Sequence, residues 1–519
     1  MLRRWVRLAV AAGALGAGFA VAAVLGHASG QTVGCDTWIA ADGNFNTPAN
    51  WSSGAVPTSA DDACITSTGA ANTYTVTLDS DASVQSLTIG AATGTQTLVI
   101  PSSARQLSLG AASAINPNGV ITLGDAGNGF SILCCAGVTL TNSGHLDTVA
   151  GAGGNRYLRA NLTNAAAGTV NIGGTTLQDG GGGGSTTTIN NGAITVAASG
   201  SLTLGGFTNP ETFSNSGGSI TNNGAITMRN LATFIQRGGS ESGIPVALNS
   251  GSTLDDDLSA AAAGFVIPES DATLTGSGSN PGLAAGQVLT VAANYTQATL
   301  GKSLTNAGTL ILGDAGSGFS ILCCAGVTLT NTGHLNTLAG AGGNRHLRAN
   351  IINAGGLVDI AGPTLQDGGG GGATSIANNR GTVMIEPGQS LALSGGSSFS
   401  QQSTATFATA IDANTTAFGQ LSGGAVSLNG QLKVTTVGSP PLDSQWPLIA
   451  GATRAGMFAT LDFRGEPYRV QYSAGGVTLI RTARVDRCVR LPKAWECHPM
   501  LHPPSSTPGV PWWKRPPTV

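Results

Sequence analysis

The sequence has few charged and few aromatic residues. Charged side chains make up 9% of the 519 residues, against roughly a quarter in typical soluble domains, and aromatic residues make up 5%. The formal net charge is −3, so the basic footprint that nucleic-acid binding requires is missing. Because 41% of the residues are hydrophobic, the chain can still bury a core, which separates it from disordered sequences.

Helical periodicity is also missing beyond residue 30. After that point no apolar run reaches about 18 residues, so we expect no membrane span there. What the sequence does contain is glycine, 78 residues of it, together with many Ala, Val, Thr, Asn and Ser residues. This composition is typical of short β-strands joined by tight turns.

A long internal duplication organises the chain. Residues 121–164 recur at 310–353, a constant 189 residues later, with 35 of 44 positions identical. Each copy then leads into the sequence TLQDGGGGG, so the duplicated segments extend over 121–184 and 310–372. A long repeat of this kind indicates a repeating architecture.

A shorter repeat fills residues 101–400. Its unit is an apolar residue, one or two polar residues, Asn, a small residue and Gly, followed by an alternating strand. Asn306, Asn331, Asn353 and Asn378 are 25, 22 and 25 residues apart, which matches one coil of a parallel β-helix. We therefore predict an all-β fold, a right-handed parallel β-helix (a solenoid), with Asn side chains stacked along its axis.

One part of this region is less regular. We interpret residues 229–300 as a lateral loop or as the join between the two long copies. The segment contains the acidic triplet Asp255, Asp256 and Asp257. We weigh it as a weak calcium site, the only cofactor that the sequence suggests, against three solvated carboxylates on an exposed turn.

The first 30 residues have the features of a signal peptide. Arg3, Arg4 and Arg7 form a positive n-region, residues 8–25 are apolar, and Ala28-Ser29-Gly30 is a small-x-small cleavage site. We therefore predict a secreted or extracellular protein that has no transmembrane span once the signal is removed. The alternative is that the segment stays uncleaved as an anchor.

Residues 31–100 form a distinct opening module with aromatic residues that the later repeats lack. Trp38, Phe45 and Trp51 belong to the motif W…GNF…PANWSxGxVP…DDAxI. This motif resembles the N-terminal segment of many large bacterial secreted proteins, in which it opens a stack of β-strands like an autotransporter passenger. The three rings would close the open end of the solenoid, as an N-terminal β cap.

Residues 401–480 form a closing module, which we predict to be a C-terminal β cap. Its order of G-x-V-x-L-x-G-x-L, a PLI strand, G-x-F and Y-x-V-x-Y resembles the last segment of autotransporter-like passengers. A membrane β-barrel of many alternating strands would follow in an autotransporter, but only about 40 residues follow here. The resemblance implies a passenger-like protein without that barrel, attached to the cell surface or released.

The tail, residues 481–519, is basic and rich in Pro and Trp. Its proline density predicts an extended segment. We weigh attachment to an anionic envelope polymer or membrane surface against an untethered linker.

Eight cysteines in an exported chain predict disulfides. Cys35 with Cys64, and Cys488 with Cys497, are predicted as local bridges, because secreted proteins fold in an oxidising compartment.

The other four cysteines form one vicinal pair in each copy, Cys134-Cys135 and Cys323-Cys324. Because neighbours on a strand point to opposite faces, we expect one thiol inside and one outside the coil in each pair. Buried thiols or a bridge between neighbouring coils are the favoured interpretations. A metal site is less favoured, because the two-residue gap of zinc sites is missing.

Polar residues recur in both copies and are the candidates for a site. They are His145, Arg156, Arg159 and Asp179 in the first copy, and His334, Arg345, Arg348 and Asp367 in the second.

Three interpretations of this set remain open. In the structural one, which we favour, Asp125 and Asp314 cap turns, while Arg156 pairs with Asp179 and Arg345 pairs with Asp367 between coils. In the second, Arg159, Arg348, Asp179 and Asp367 line a repeated ligand-binding surface. In the third, Arg156, Arg345, His145 and His334 are catalytic, as in the polysaccharide lyases that resemble this fold.

We therefore expect a secreted or surface-attached bacterial β-solenoid with structural or adhesive duty. Its partners would be envelope or extracellular polysaccharides, or other copies of itself, and not nucleic acid. The alternative is a polysaccharide lyase or glycoside hydrolase of the parallel β-helix type.

Overall fold

The computed structural model describes residues 34–67, 72–182, 184–205, 209–369, 372–483, 487–491 and 494–498. Within these residues the chain forms a β-solenoid in which strands of successive coils pair in parallel. Each coil contributes in turn to three ladders of paired strands, which we name faces A, B and C. The predicted all-β parallel β-helix is therefore confirmed, while its right-handed sense stays a prediction.

Helical structure is limited, in the described residues, to the short 3-10 turns Pro48–Asn50 and Gly180–Gly182. None of the helices found there is long and apolar enough to cross a membrane. The predicted signal peptide and the end of the basic tail, from residue 499, lie outside the described residues.

Face A is interrupted once, and its strands before and after the interruption are given together. They are Gly43–Asn44, Tyr74–Thr77, Gln96–Ile100, Gly119–Leu123, His145–Thr148, Thr169–Ile172, Ala193–Val196, Ser219–Asn222, Ser240–Gly243, and then Gly282–Leu283, Leu304–Asn306, Ser375–Asn378 and Thr453–Gly456.

Face B is a single parallel ladder. Its strands are Ala82–Val84, Arg105–Leu109, Thr175–Gln178, Ser201–Leu204, Ala225–Met228, Val246–Leu248, Gly264–Ile267, Val288–Val291, Thr309–Leu312, His334–Leu338, Leu357–Ala361, Thr382–Ile385, Thr406–Asp412, Gln431–Val437 and Thr460–Asp462.

Face C also runs along the solenoid. Its strands are Cys35–Thr37, Asp62–Ile65, Ser86–Ile89, Ser113–Ile115, Thr187–Asn190, Thr212–Asn215, Thr233–Gln236, Thr253–Asp256, Asp271–Thr275, Thr296–Leu300, Thr364–Gln366 and Gln445–Ala450.

Several longer strands turn a corner and belong to two faces. Ser131–Asn142 and Arg156–Asn164 lie on faces B and C, whereas Ser320–Asn331, Arg345–Asn353, Ser390–Gln401 and Gln420–Leu428 lie on faces C and A. Among the described strands, antiparallel pairs join Thr406–Asp412 to Ala417–Phe418, Gly476–Arg481 to both Gln445–Ala450 and Tyr468–Ser473, and Arg487–Leu491 to Ala494–His498. Single antiparallel bridges also join Trp38 to Trp51 and Asp257 to Pro281.

The core forms because strand side chains alternate between the inside and the outside of the coil. In Gln96–Ile100, for example, positions 96, 98 and 100 are buried and the residues between them are half-exposed. One continuous apolar cluster results, running from Trp38 to Leu479. Each fully buried Leu or Ile contributes about 2 kcal/mol relative to an exposed one.

Buried asparagines stack at the corners, as the sequence predicted. Asn142, Asn164, Asn190 and Asn215 form a chain in which each Nδ2 donates to the next Oδ1 or, at the end, to Gln236 Oε1. A second chain joins Asn306, Asn331, Asn353 and Asn378 at 2.8–3.0 Å. Most of these amides also donate to a main-chain carbonyl, so they tie each corner to the following strand.

The first end of the solenoid is closed by aromatic rings. Trp38, Phe45 and Trp51 are almost fully buried and meet edge to face, with ring centroids 5.2 and 4.9 Å apart. A disulfide joins Cys35 to Cys64 on neighbouring rungs of face C. At the other end, Tyr468–Ser473 and Gly476–Arg481 pair in antiparallel fashion, which ends the parallel ladder. The boundaries of the predicted modules stay predictions.

The expected loop at residues 229–300 is not present. Thr253–Asp256, Asp271–Thr275 and Thr296–Leu300 continue face C without a break. Only face A is interrupted, at residues 257–263, where the Glu241 amide donates to the carbonyl of Ala262. The segment looked irregular because its turns lack the Asn-x-Gly pattern, although its strands keep the alternation of the coil.

The two long copies do not occupy the same faces. In the first copy Ser131–Cys134 lies on face B and Leu140–Asn142 on face C, with partners at Arg105–Ser108 and Ser113–Ile115. In the second copy the equivalent residues lie on face C and face A, with partners at Thr296–Thr299 and Leu304–Asn306. Near-identical sequence therefore forms the same local structure one face further round the solenoid.

Candidate functional site

The buried arginines of the two copies are held by main-chain carbonyls. Arg156 and Arg345 are 1% and 0% exposed. Nε of Arg156 donates to the carbonyl of Val149 at 2.8 Å, and its terminal nitrogens donate to the carbonyls of Gly129, Gly153, Gly154 and Asp125. Burial lowers the pKa of both guanidinium groups. These side chains organise the glycine-rich turns and are not placed to meet a substrate.

The expected pairing of Arg156 with Asp179, and of Arg345 with Asp367, is wrong. It is Arg159 that pairs with Asp179, at 2.8 Å between Nε and Oδ1. Residues three apart on a strand point to opposite sides. Arg156 therefore enters the core while Arg159 reaches the surface.

The histidines lie elsewhere. His145 and His334 are exposed at the first positions of their strands on face A and face B respectively. His145 Nδ1 lies 2.5 Å from the hydroxyl of Thr169 on the next rung. Because His145 points outward on one face and Arg156 points inward on another, the four catalytic candidates do not converge on one site.

Asp125 and Asp314 cap turns, as predicted. Oδ1 of Asp125 accepts the amide of Gly127 at 2.8 Å, and Oδ1 of Asp314 accepts that of Gly316 at the same distance. The hydrogen bond from Gly127 is the main reason why the pKa of Asp125 is lowered.

We define the first corner site as Cys134, Cys135, Tyr157, Arg159 and Asp179. Oδ1 of Asp179 accepts both the Arg159 Nε and the amide of Gly181, so the carboxylate fixes the side chain and the glycine-rich loop together. Gly181 has φ +67°, and a Cβ there would lie 2.7 Å from Arg159 Cδ. Only glycine allows the loop to lie this close over the arginine.

The vicinal cysteines form disulfides with each other, which the sequence reasoning did not anticipate. Cys134 is bonded to Cys135 and Cys323 to Cys324. The register shifts after Cys134, so the chain bulges outward at the corner instead of placing one sulfur inside the coil. Cys134 is the rung partner of Arg159. Arg159 therefore lies between the disulfide on one coil and the glycine-rich loop on the other.

We define the second corner site as Cys323, Cys324, His346, Arg348 and Asp367. Arg348 Nε donates to Asp367 Oδ1 at 2.7 Å, and His346 Nδ1 lies 2.8 Å from Oδ2 of the same carboxylate. Burial alone would raise the pKa of Asp367, but the hydrogen bonds from His346 and Arg348 outweigh it and leave the pKa below its usual value. The carboxylate is therefore ionised at neutral pH.

The second site opens into a shallow groove of about 560 Å³. The groove is lined by Arg348 and Asp367, by Gly368, Gly369 and Gly372 of the glycine-rich loop, and by Ser394 and Gly395 on the next coil. Polar groups at the base of an open groove are suited to an extended ligand that lies on the surface.

Aromatic rings continue each site along the outer surface. Arg159 lies over the ring of Tyr157 at 4.3 Å, and Tyr157 meets Phe130, which is 40% exposed, edge to face. In the second copy Phe319 lies between Tyr295, which is 65% exposed, and His346. Sequence reasoning missed these rings, although Tyr157 and Arg159 are two residues apart on a strand and must share a face.

A further buried carboxylate, Glu211, supports the first site only. Glu211 accepts the amide and the hydroxyl of Thr186. Burial, reinforced by the nearby charge of Asp179, raises its pKa against the effect of the Thr186 hydrogen bonds. In the second copy the equivalent threonine, Thr374, contacts Ser397 instead.

The acidic triplet is buried and not an exposed turn. Asp255 pairs with Arg237 at 2.9 Å, Asp256 accepts Gln287 Nε2 at 3.2 Å, and Asp257 accepts the hydroxyl of Ser259. No group of three or more His, Cys, Asp or Glu side chains in the described part of the chain could hold a metal ion. The calcium interpretation of these residues is therefore not supported.

The predicted Cys488–Cys497 bridge falls on residues of which only the backbone is described. The two are opposite each other in the last hairpin. Their side chains lie outside the described part.

Comparison with known proteins adds little. No family model matches the sequence, and no curated protein matches it. Among solved structures the chain is similar to the crystal structure of the Haemophilus influenzae Hap adhesin, at 12% identity and a TM-score of 0.21, over 81% of this chain and 64% of that one. The chain thus spans less than two thirds of the length of that structure. A likeness at this level does not bear on function.

Proposed function

We propose that this protein is an exported, non-catalytic β-solenoid that binds polysaccharide through its two corner sites and so has an adhesive role. The observation that carries the proposal is the same arrangement in both copies. A partly exposed arginine is fixed by an aspartate and a glycine-rich loop. Aromatic rings follow on the outer surface, next to Arg159 itself in the first copy and next to His346 in the second.

This arrangement suits a sugar chain. Arg159 and Arg348 each use Nε on their aspartate and keep further N–H groups for hydroxyl or carboxylate oxygens. The exposed rings of Phe130 and Tyr295 offer flat apolar surfaces for the C–H face of a pyranose. Because the aspartates neutralise the arginines, neutral as well as acidic sugars fit.

Three disulfides in the described residues support an oxidising, extracellular location. Such bonds are rare in the reducing cytosol, and here they include one in each corner site. Extracellular location fits an envelope or matrix polysaccharide as the partner.

Burial of the arginines argues against the lyase alternative. A general base must come within hydrogen-bond reach of the proton that it removes. Arg156 and Arg345 are enclosed by carbonyl groups, and the exposed histidines lie on other faces.

The test is a binding and turnover panel with the purified protein and four polymers: polygalacturonate, alginate, laminarin and mannan. We expect pull-down of at least one polymer without new unsaturated or reducing ends, and weaker binding by the double variant R159Q/R348Q. The exposed Arg469→Gln serves as the matched control. New unsaturated ends made by the wild-type protein would make it a lyase, and no binding at all would leave a self-associating scaffold.

A further inference from the structure

The two corner sites open in different directions. The first lies where face B turns into face C, because Ser131–Cys134 belongs to face B and Leu140–Asn142 to face C. The second lies where face C turns into face A, because Ser320–Cys323 belongs to face C and Leu329–Asn331 to face A. The sites are therefore on neighbouring edges of a three-sided rod.

The buried asparagine chains show the same rotation independently. The first chain donates to strands of face A, at Thr169 and Ala193. The second donates to strands of face B, at His334 and Leu357. The whole repeat, and not the corner alone, is turned by one face.

The sites are also well separated along the axis. On face C, Ser320–Cys323 lies eight rungs beyond Leu140–Asn142, through the ladder that passes Thr187–Asn190 and Thr253–Asp256. At a spacing of about 4.8 Å per rung the offset is roughly 38 Å. A straight sugar chain lying along one edge reaches one site and not the other.

We infer that the protein is a two-faced cross-linker, which holds two separate polysaccharide chains, one at each corner site. The inference rests on the proposed function and adds to it the way in which the partners are engaged. Two sites on one edge would give tight binding to a single chain. Two sites on neighbouring edges join one chain to another.

The experiment uses two populations of beads, dyed red and green, coated with the same polymer from the four-polymer panel and tested for each polymer in turn. Wild type is expected to bind beads and to form mixed red–green pairs. R159Q and R348Q, each with one intact site, are expected to bind beads but to form mixed pairs at least tenfold less often. D179N and D367N repeat the test with a second change at each site, and circular dichroism checks that every variant is folded.

Two failures are distinguishable. If wild type binds no polymer, the proposed function fails and the inference falls with it. If wild type binds but forms no mixed pairs, or if the single-site variants form as many pairs as wild type, polymer binding stands and the cross-linking inference is overturned.

Discussion

The two copies of the duplicated segment keep one set of residues and change another. Both keep the buried arginine, the disulfide corner, the aspartate and the glycine loop. Tyr157 in the first copy corresponds to His346 in the second. Likewise, Glu211, which contacts Thr186, corresponds to Ser397, which contacts Thr374.

This difference separates the residues that the coil needs for its structure from the residues that vary on the surface around the site. The retained groups satisfy main-chain polar atoms or sit where only glycine fits, so any change would leave buried groups unpaired. The changed residue of the outer surface, at 157 and 346, touches the site arginine or its aspartate and leaves the coil intact. The copies are therefore one scaffold with two surfaces.

The largest expected loss of stability comes from replacing a buried arginine that both copies retain. Arg156→Met or Arg345→Met leaves several buried carbonyls without donors, at a cost of roughly 1 kcal/mol or more each. We expect each variant to lose about 5 kcal/mol of unfolding free energy, measured by urea titration. The losses should be similar, because four equivalent carbonyls hold each guanidinium group; only Arg156 also reaches a fifth, that of Asp125. A normal stability for either variant, with exposed Arg469→Met as the control, would mean that the copies differ in their cores.

The segment between the copies provides the second contrast, because it contains a buried acid with a strongly raised pKa, Asp256. Burial raises the pKa of Asp256 to about 7, against the lowering effect of the Gln287 hydrogen bond. The folded state then holds a proton that the unfolded state releases near pH 4. Stability should fall as pH rises from about 4 to about 7, by about 4 kcal/mol in all.

Asp256→Asn tests this directly, because its Oδ1 can keep the hydrogen bonds from Gln287 and from the Asp257 amide. Urea titrations at pH 4.5, 6 and 8 should show a shallower fall in stability than wild type. A part of the fall should remain, since burial also raises the pKa values of Glu211 and Glu241. An unchanged pH profile would show that Asp256 is ionised throughout.

The third effect compares the two asparagine chains. Asn164 and Asn353 each accept one side-chain amide and donate to another. We expect Asn164→Ala and Asn353→Ala to cost about 2 kcal/mol each by thermal or urea unfolding. Exposed Asn191→Ala is the control. Unequal losses would mean that turning the repeat by one face changes its environment.

Sequence reasoning reached the solenoid because its signals are local. The 22–25-residue spacing of Asn306, Asn331, Asn353 and Asn378 indicates the length of a coil. The alternation of apolar and polar residues indicates which side chains point into the core. The turn caps at Asp125 and Asp314 follow from their neighbouring glycines.

What could not be predicted depends on how the coils are stacked. The number of residues on each side of a coil decides which strand residues point outward. It places Arg159, and not Arg156, on the outer surface beside Asp179. The one-face rotation between copies depends on every coil between them, including the interruption at residues 257–263. The bond between Cys134 and Cys135 needs a corner bulge, for which ordinary strand alternation gives no indication.

The smallest expected effect sharpens the comparison at the outer surface. Tyr157→His removes the ring over Arg159, a contact worth about 0.5–1 kcal/mol at an exposed position, so polymer binding at the first site should weaken about two- to fivefold. The measurement at the first site uses protein that also carries R348Q, which disables the second site. The measurement at the second site uses protein that carries R159Q.

The reverse exchange tests the same position in the second copy. His346→Tyr replaces the imidazole that contacts Asp367 with a phenol ring like the one that Arg159 covers in the first copy. Calorimetry with polygalacturonate fragments should show binding at the second site strengthening about two- to fivefold. If neither exchange changes binding, the divergence of the two copies lies in Glu211 and Ser397, beneath the surface, and not in the rings that face the ligand.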